Sequence, residues 1–286
     1  MIKFAVMSTK GGVGKTTLAA NLGGILADMG LRVLMIDADI QPSLSKYYEL
    51  RHKAPLGLTH VITKQRVTTE CISQTVIDNL DIVLSDDQEG FLQPWLASKI
   101  GSHDYLTNAL SAGPIVNDDN YDCIIIDTQG ATGMLQNNAG LAATQLILPV
   151  VPEVIAAREF VSGTMSLLEQ LEPSVAFRGR AGQVKGVLYR MDRTTDARVI
   201  AEDLRRSFLK LEGRVSMLKT TVPLAKAYKE AATAQTPVHR HEVARDGGAM
   251  KSAYDVMHQM VWELIPSMEG VTAGAFAVTP REVANG

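Results

Sequence analysis

The chain has 286 residues, 46% hydrophobic and 21% charged, enough apolar material for a core that needs no disulfides or structural metals, and too much for wholesale disorder. Its two cysteines, Cys71 and Cys123, are far apart, which excludes a CxxC metal or redox motif, and no run reaches 18 uninterrupted apolar residues, so no membrane span is expected. Net charge is only −3, yet residues 178–229 hold 13 Lys plus Arg against 5 Asp plus Glu, an imbalance that points to an anionic partner for the C-terminal third.

The first apolar run, IKFAVM from Ile2, has no basic leader before it, so secretion is not expected, and the two distant cysteines make a reducing cytoplasm the expected setting. A Gly-rich loop follows, then a helical pattern from Thr16 to Met29 with Leu18, Leu22, Ile25, Leu26 and Met29 on one side and Gly30 at the closing position. Further apolar runs begin at Arg32 (RVLMID), Leu80 (LDIVLS), Cys123 (CIIID), Gln145 (QLILPVV) and Val184 (VKGVLY). They are nearly continuous instead of alternating, as in strands covered on both faces, and helical patterns separate them. The expected fold is therefore α/β, a mostly parallel sheet with helices on both faces. No Ser/Gly-rich linker interrupts it, so residues 1–268 are read as one domain and 269–286 as a flexible tail. The last helical pattern places Met250, Tyr254, Met257, Val261 and Leu264 opposite Lys251, Asp255, Gln259 and Glu263. It is expected to dock on the core, because a membrane anchor would need a more basic polar face. His239 and His241 read as structural or solvated.

The loop reads Thr9-Lys10-Gly11-Gly12-Val13-Gly14-Lys15-Thr16-Thr17. Glycines let backbone N–H groups turn onto phosphate oxygens, the helix that follows adds its positive end, Lys15 supplies a charge near the β- and γ-phosphates, and the Thr16 hydroxyl can ligate Mg²⁺. Lys10 to Thr17 are accordingly the candidate ATP-binding residues of a P-loop NTPase fold. The strict GxxxxGK[ST] pattern fails, since Thr9 stands where a glycine is required, and an extra lysine, Lys10, stands at the mouth of the loop.

Two acidic positions belong to the same chemistry. Asp37 and Asp39 come after the second apolar run, at the sheet edge where ligands of open α/β folds gather. Asp127 ends the run Cys123-Ile124-Ile125-Ile126-Asp127, the arrangement that holds Mg²⁺ directly or through water, so the metal candidates are Thr16 and Asp127. Gln129, in Thr128-Gln129-Gly130, either orients water or faces solvent.

The loop text resembles the deviant Walker A box of the ParA/MinD group of P-loop ATPases, and Leu148-Pro149-Val150-Val151-Pro152-Glu153 and Gly186-Val187-Leu188-Tyr189-Arg190-Met191 extend the likeness to about residue 240. Val184 to Phe208 with Leu218-Lys219-Thr220-Thr221-Val222-Pro223 is similar to the short ParA/Soj type. The resemblance implies an ATPase that forms an ATP-sandwiched homodimer, with Lys10 reaching the partner's phosphates, Lys15 and Asp39 completing the catalytic set, and Pro223 and Ala225 beside the adenine. It implies Mg²⁺ as cofactor, a stimulating ParB-like protein as partner, nonspecific DNA as matrix and a nucleoid location, with a plasmid, chromosome or mobile element as cargo. The departures are Pro42 after Gln41 instead of before it, Ala225 where the group has Asn, and Thr128-Gln129-Gly130 in place of a proline-containing segment.

Arg193, Arg198, Arg205, Arg206, Lys210, Arg214 and Lys219 form the basic cluster expected to touch DNA phosphates without reading bases. No helix-turn-helix precedes the loop, so operator recognition is not expected. The alternatives are a MinD-like positioning ATPase for a protein cargo and a P-loop small-molecule ligase.

Overall fold

The computed structural model describes residues 1–8, 10–111, 113–130, 133–172, 184–209, 215–245 and 251–274, with the backbone alone at 154–159 and 209. The chain begins with β1 (Ile2–Val6), α1 (Lys15–Asp28), β2 (Val33–Ala38), β3 (Leu50–His52), α2 (Leu58–Lys64), β4 (Ser73–Thr75), β5 (Leu80–Val83), α3 (Leu92–Ala97) and α4 (Tyr105–Ala109). It continues with β6 (Cys123–Thr128), α5 (Met134–Ala142), β7 (Gln145–Val150), α6 (Val154–Leu171), β8 (Val184–Met191) and α7 (Thr195–Leu209). It closes with β9 (Val215–Pro223), α8 (Ala227–Thr233), α9 (Val238–His241) and α10 (Ala253–Leu264).

All nine strands share one sheet in the order β3-β4-β5-β2-β6-β1-β7-β8-β9. Every pairing from β5 to β9 is parallel; β4 alone runs antiparallel to both neighbours. The continuous apolar runs have a direct packing cause. Along β6, Ile124 and Ile126 enter one core while Cys123 and Ile125 enter the other, and β2 divides Leu34 and Ile36 from Val33 and Met35 in the same way. Side chains α2 to α7 contribute to the first core, and α1, α8, α9 and α10 to the second. Each fully buried Ile or Leu stabilises by roughly 1.5–3 kcal/mol, so neither face of these strands tolerates polarity except at the functional edge.

The first helix ends as its sequence indicates. Gly30 has φ 91°, its N–H bonds to the Ala27 carbonyl, and Leu31 N–H bonds to the Leu26 carbonyl, a Schellman closure. The short strands β3 and β4 lie outside the six apolar runs because they are only three residues long and mostly polar, with β3 at the sheet edge and β4 next to it.

The segment after α10 is held down as far as Ala273, within what composition marks as tail. Tyr254 donates to the Ala273 carbonyl, Trp262 to the Val271 carbonyl, and the Ala273 N–H donates to His258 Nε2. Residues 275–286 lie outside the described residues. On α10 itself Met257, Val261 and Leu264 are buried in the core, whereas Met250 lies outside the described residues. His239 is buried against Asp28 at 2.7 Å, and His241 stands 3.4 Å from Glu230.

Candidate active site

The carboxyl ends of the parallel strands bring the phosphate loop and three carboxylates together. Between β1 and α1, Gly12 and Gly14 adopt φ 75° and 91°, a conformation that favours glycine, and open space lies over Gly11 and Gly12. Gly14 caps α1, whose first turn has neither a side-chain cap nor an acidic residue, so its N–H groups remain available to an anion. Glycine is required at 14 for a second reason. A β-carbon there would lie 2.2 Å from Cε1 of Tyr189, whose buried ring rises from β8 directly beneath the loop.

Lys15 is buried, and its ammonium donates to the Lys10 carbonyl at 3.4 Å. Burial lowers its pKa, against the attraction of Asp127 and then Asp39. Lys10 is exposed at the mouth, with its N–H bonded to Ser8 Oγ at 3.1 Å. Val13 is buried, and Thr16 and Thr17 are half-buried on the first turn of α1. Thr9 lies outside the described residues.

Asp127 pairs in register with Val6 of β1 and with Asp37 of β2. It is fully buried, and among the described residues neither of its carboxylate oxygens has a hydrogen-bond partner. Burial and the adjacent Asp37 push its pKa up to about 8, while the nearby Thr16 hydroxyl and Lys15 ammonium draw it down without closing a hydrogen bond. Buried charge without a partner is costly, so a cation is the natural complement at this position. No group of three His, Cys, Asp or Glu able to hold a metal occurs among the described residues, so the remaining ligands would be water and phosphate, as Mg²⁺ prefers.

Asp37 lies within β2, not after it, and accepts from both the N–H and the hydroxyl of Ser45 at 2.7 Å. Burial pushes it up to about 6 against those bonds. Asp39 follows β2, half-buried, with one carboxylate oxygen accepting from Gln41 N–H at 3.0 Å. Its carbonyl accepts from Ser85 Oγ at 2.5 Å, and Ser85 N–H donates to Ser45 Oγ. Ser45 and Ser85 thus brace both acidic residues; nothing in the sequence singles them out.

Gln129 is 9% exposed and does not face solvent. Beside it, Gly130 lies against the phosphate loop, where a β-carbon would sit 2.8 Å from Gly11 Cα and 3.2 Å from Lys15 Nζ. The only sequence signal for this contact is the glycine itself.

Pro223 ends β9 on the same edge, paired with Met191 of β8, and Ala225 is partly buried. Leu224 between them is 50% exposed and lines a cavity of about 220 Å³ with Pro152, Glu153, Arg190, Asp192 and Thr194. Arg190, in that lining, has φ 56° near the end of β8.

The basic cluster is only partly assembled. Arg193, Arg198 and Lys219 are exposed, and Arg205 donates to the Lys219 carbonyl at 3.3 Å. Arg206 instead shares its charge with Glu202 and Asp203 at 3.7 and 3.6 Å. Lys210 and Arg214 lie outside the described residues. Glu263, expected on a solvated face, accepts from the N–H groups of Lys219 and Thr220 at 2.6 and 2.7 Å, where β9 slips register against β8.

Residues 1–174 match a family described as an AAA domain. The chain is 30% identical over 210 residues to the chromosome-partitioning ATPase Soj of Thermus thermophilus, covering 72% of this chain and 76% of that one. Among solved structures, the septum site-determining protein MinD of Pyrococcus horikoshii, complexed with Mg-ADP, superimposes with a TM-score of 0.68 at 20% identity, covering 96% and 99% of the two chains. Cobyrinic acid a,c-diamide synthase of Mycobacterium smegmatis, with bound ATP analogue and magnesium, gives a TM-score of 0.65 at 25% identity over 82% and 93%. With its two-lysine phosphate loop on a parallel sheet and its relationship to Soj, the chain belongs to the ParA/Soj family of P-loop ATPases.

Proposed function

We propose that this chain is an ATP-fuelled positioning switch of partition type: it dimerises with ATP, binds DNA without sequence preference, and hydrolyses ATP when a partner protein engages it. The observation that carries this reading is the second lysine. Lys10 is exposed outside a cradle whose own lysine, Lys15, is already buried beside Asp127. A second, exposed lysine at the mouth of a loop whose own lysine is buried can serve a phosphate bound by another copy, adding positive charge where transition-state charge develops.

In this reading the N–H groups of Gly11 to Gly14, the Lys15 ammonium and Thr17 hold the triphosphate, and Pro223 and Ala225 flank the base. Thr16 and Asp127 would hold Mg²⁺, which when bound neutralises phosphate charge; the two unpartnered oxygens of Asp127 fit that role. Asp39 orients the attacking water, held in place by Ser85 and Gln41. Arg193, Arg198, Arg205 and Lys219 supply the DNA surface, with Arg206 contributing least because two acids share it. The name of the Thermus relative supports a chromosome as cargo; a ParB-like stimulator and a nucleoid location would accompany that role.

The test is fluorescence anisotropy of a random-sequence duplex with ATP, ADP or no nucleotide across a salt series. Binding confined to the ATP state, with affinity falling by about 0.9 in log K per log unit of salt for each phosphate neutralised, is expected. Absence of DNA binding in every nucleotide state at low salt removes the partition role. The likeness to the M. smegmatis synthase supports a second reading, an ATP-dependent ligase, which would show as ADP release dependent on a small carboxylate and an amine donor.

A further inference from the structure

Gln136 is fully buried in the first turn of α5, outside every motif that the sequence displays. Its Nε2 donates to the carbonyl of Ser8, at 3.0 Å, and to the carbonyl of Gln129, at 3.4 Å. Those two carbonyls fix the orientation of the amide, because only its nitrogen can face them. One side chain therefore joins the chain just before the phosphate loop to the chain just after β6. Ser8 in turn accepts from Lys10 N–H, so the link continues into the loop itself.

The segment held this way is the one that crowds the cradle. Gly130, next to Gln129, leaves so little room that a methyl group there would meet Gly11 Cα at 2.8 Å and Lys15 Nζ at 3.2 Å. Lys15 marks the β- and γ-phosphate end of a phosphate loop. A third phosphate approaching Lys15 from this side would displace Gly130, whereas a diphosphate, ending at the β position, asks less of it. Of the two bonds made by Gln136, the longer one, to Gln129, is the one that yields.

We propose that Gln136 is a positioning residue that latches the loop after β6 onto the phosphate loop and thereby sets the discrimination between ATP and ADP. This rests on the reading of the loop as a triphosphate site. The latch opposes the triphosphate state alone, so releasing it raises affinity for ATP without raising affinity for ADP.

The experiment measures ATPγS and ADP affinities, with Mg²⁺ present, by competition against a fluorescent ADP analogue. Gln136→Met keeps the volume and removes both bonds. ATPγS affinity is expected to rise about two- to tenfold, the span of one neutral hydrogen bond, with ADP affinity unchanged within about twofold. Gln136→Leu also removes both bonds with little change of volume, so it carries the test if Gln136→Met does not fold, and it should give the same selective gain. Equal changes for both nucleotides, or no change in either, overturn the latch while leaving the phosphate site intact. Failure of the wild-type chain to bind either nucleotide overturns the phosphate site and the latch together.

Discussion

Asp37 and Asp127 are register partners on β2 and β6, two wholly buried carboxylates side by side at the carboxyl edge of the sheet. Burial raises both, Asp37 to about 6 and Asp127 to about 8, from the ordinary value of 3.8. The folded state therefore holds protons that the unfolded chain releases, and the linkage has a definite sign. Stability contributed by these protons is complete below pH 3.8 and is lost progressively as pH rises through about 6 and then about 8. The nucleotide-free protein should melt at a lower temperature at pH 8.5 than at pH 6, and Asp127→Asn should shrink that difference. Thermal melts without nucleotide check this, and a wild-type melting temperature that climbs across the interval contradicts the buried-pair account. Asp127→Asn should also remove the stabilisation that Mg²⁺ with ATP gives the wild type.

Gly14 and Tyr189 make a second testable pair. A side chain at 14 meets both a left-handed backbone and the aromatic ring 2.2 Å away. Gly14→Ala is expected to destabilise by roughly 2–5 kcal/mol, combining the left-handed penalty with overpacking. Combining it with Tyr189→Leu should recover the overpacking part and leave the backbone part. Urea melts of the three variants measure the split. A Gly14→Ala protein that loses only the backbone part, about 1–2 kcal/mol, shows that the ring moves aside freely and is not the floor of the loop.

The parts of this architecture visible in the sequence are those fixed by local chemistry. The first helix shows its Leu18 to Met29 stripe and its Gly30 closure, and the loop shows its glycines and lysines in consecutive order. The central strands are legible because both faces are buried, which makes CIIID and RVLMID continuous apolar text. What was not legible depends on residues that meet only across the fold. Ser45 and Ser85, 40 positions apart, join to brace Asp37 and Asp39, Tyr189 finds Gly14 from β8, and Glu263 leaves its expected solvated face to take the two N–H groups freed by the register slip in β9. The charge excess of the C-terminal third is visible in composition, but its sharing between Arg206, Glu202 and Asp203 is not, because it depends on which helix face each occupies.

His258 should make the docking of residues 271–274 sensitive to acid. Its Nδ1–H donates to the Tyr254 carbonyl at 2.7 Å, and its Nε2 accepts from Ala273 N–H at 2.8 Å, so only the neutral ring satisfies both. Burial lowers its pKa, despite the Tyr254 carbonyl and Asp255. A lowered histidine contributes stability that is present above its unfolded value of 6.5 and is lost as pH falls through the folded value. Amide hydrogen exchange at Ala273 should be protected at pH 7.5 and lose protection, after correction for intrinsic rate, at pH 5. His258→Phe should lack the protection at both pH values. Equal protection in wild type and variant would show that Tyr254 and Trp262 hold the segment without the imidazole.

Lys10 gives the most direct test of the switch. Its backbone belongs to the phosphate loop, since its carbonyl accepts from Lys15 and its N–H is held by Ser8, so Lys10→Ala leaves those backbone bonds in place. Nucleotide affinity should change by no more than a few-fold. If the ammonium completes a site in a second copy, turnover should instead fall by about 10³ or more, the scale on which a cation supplied in trans acts in phosphoryl transfer. Wild-type specific activity should rise with protein concentration, because the complete site needs two chains, while the variant should stay flat. Mixing the variant with a hydrolysis-defective Asp39→Ala chain distinguishes trans from cis action. In trans, a mixed dimer keeps one competent site, with Asp39 from the Lys10→Ala chain and Lys10 from the other, so activity returns. In cis, each chain lacks one required group in its own site, and the mixture stays inactive.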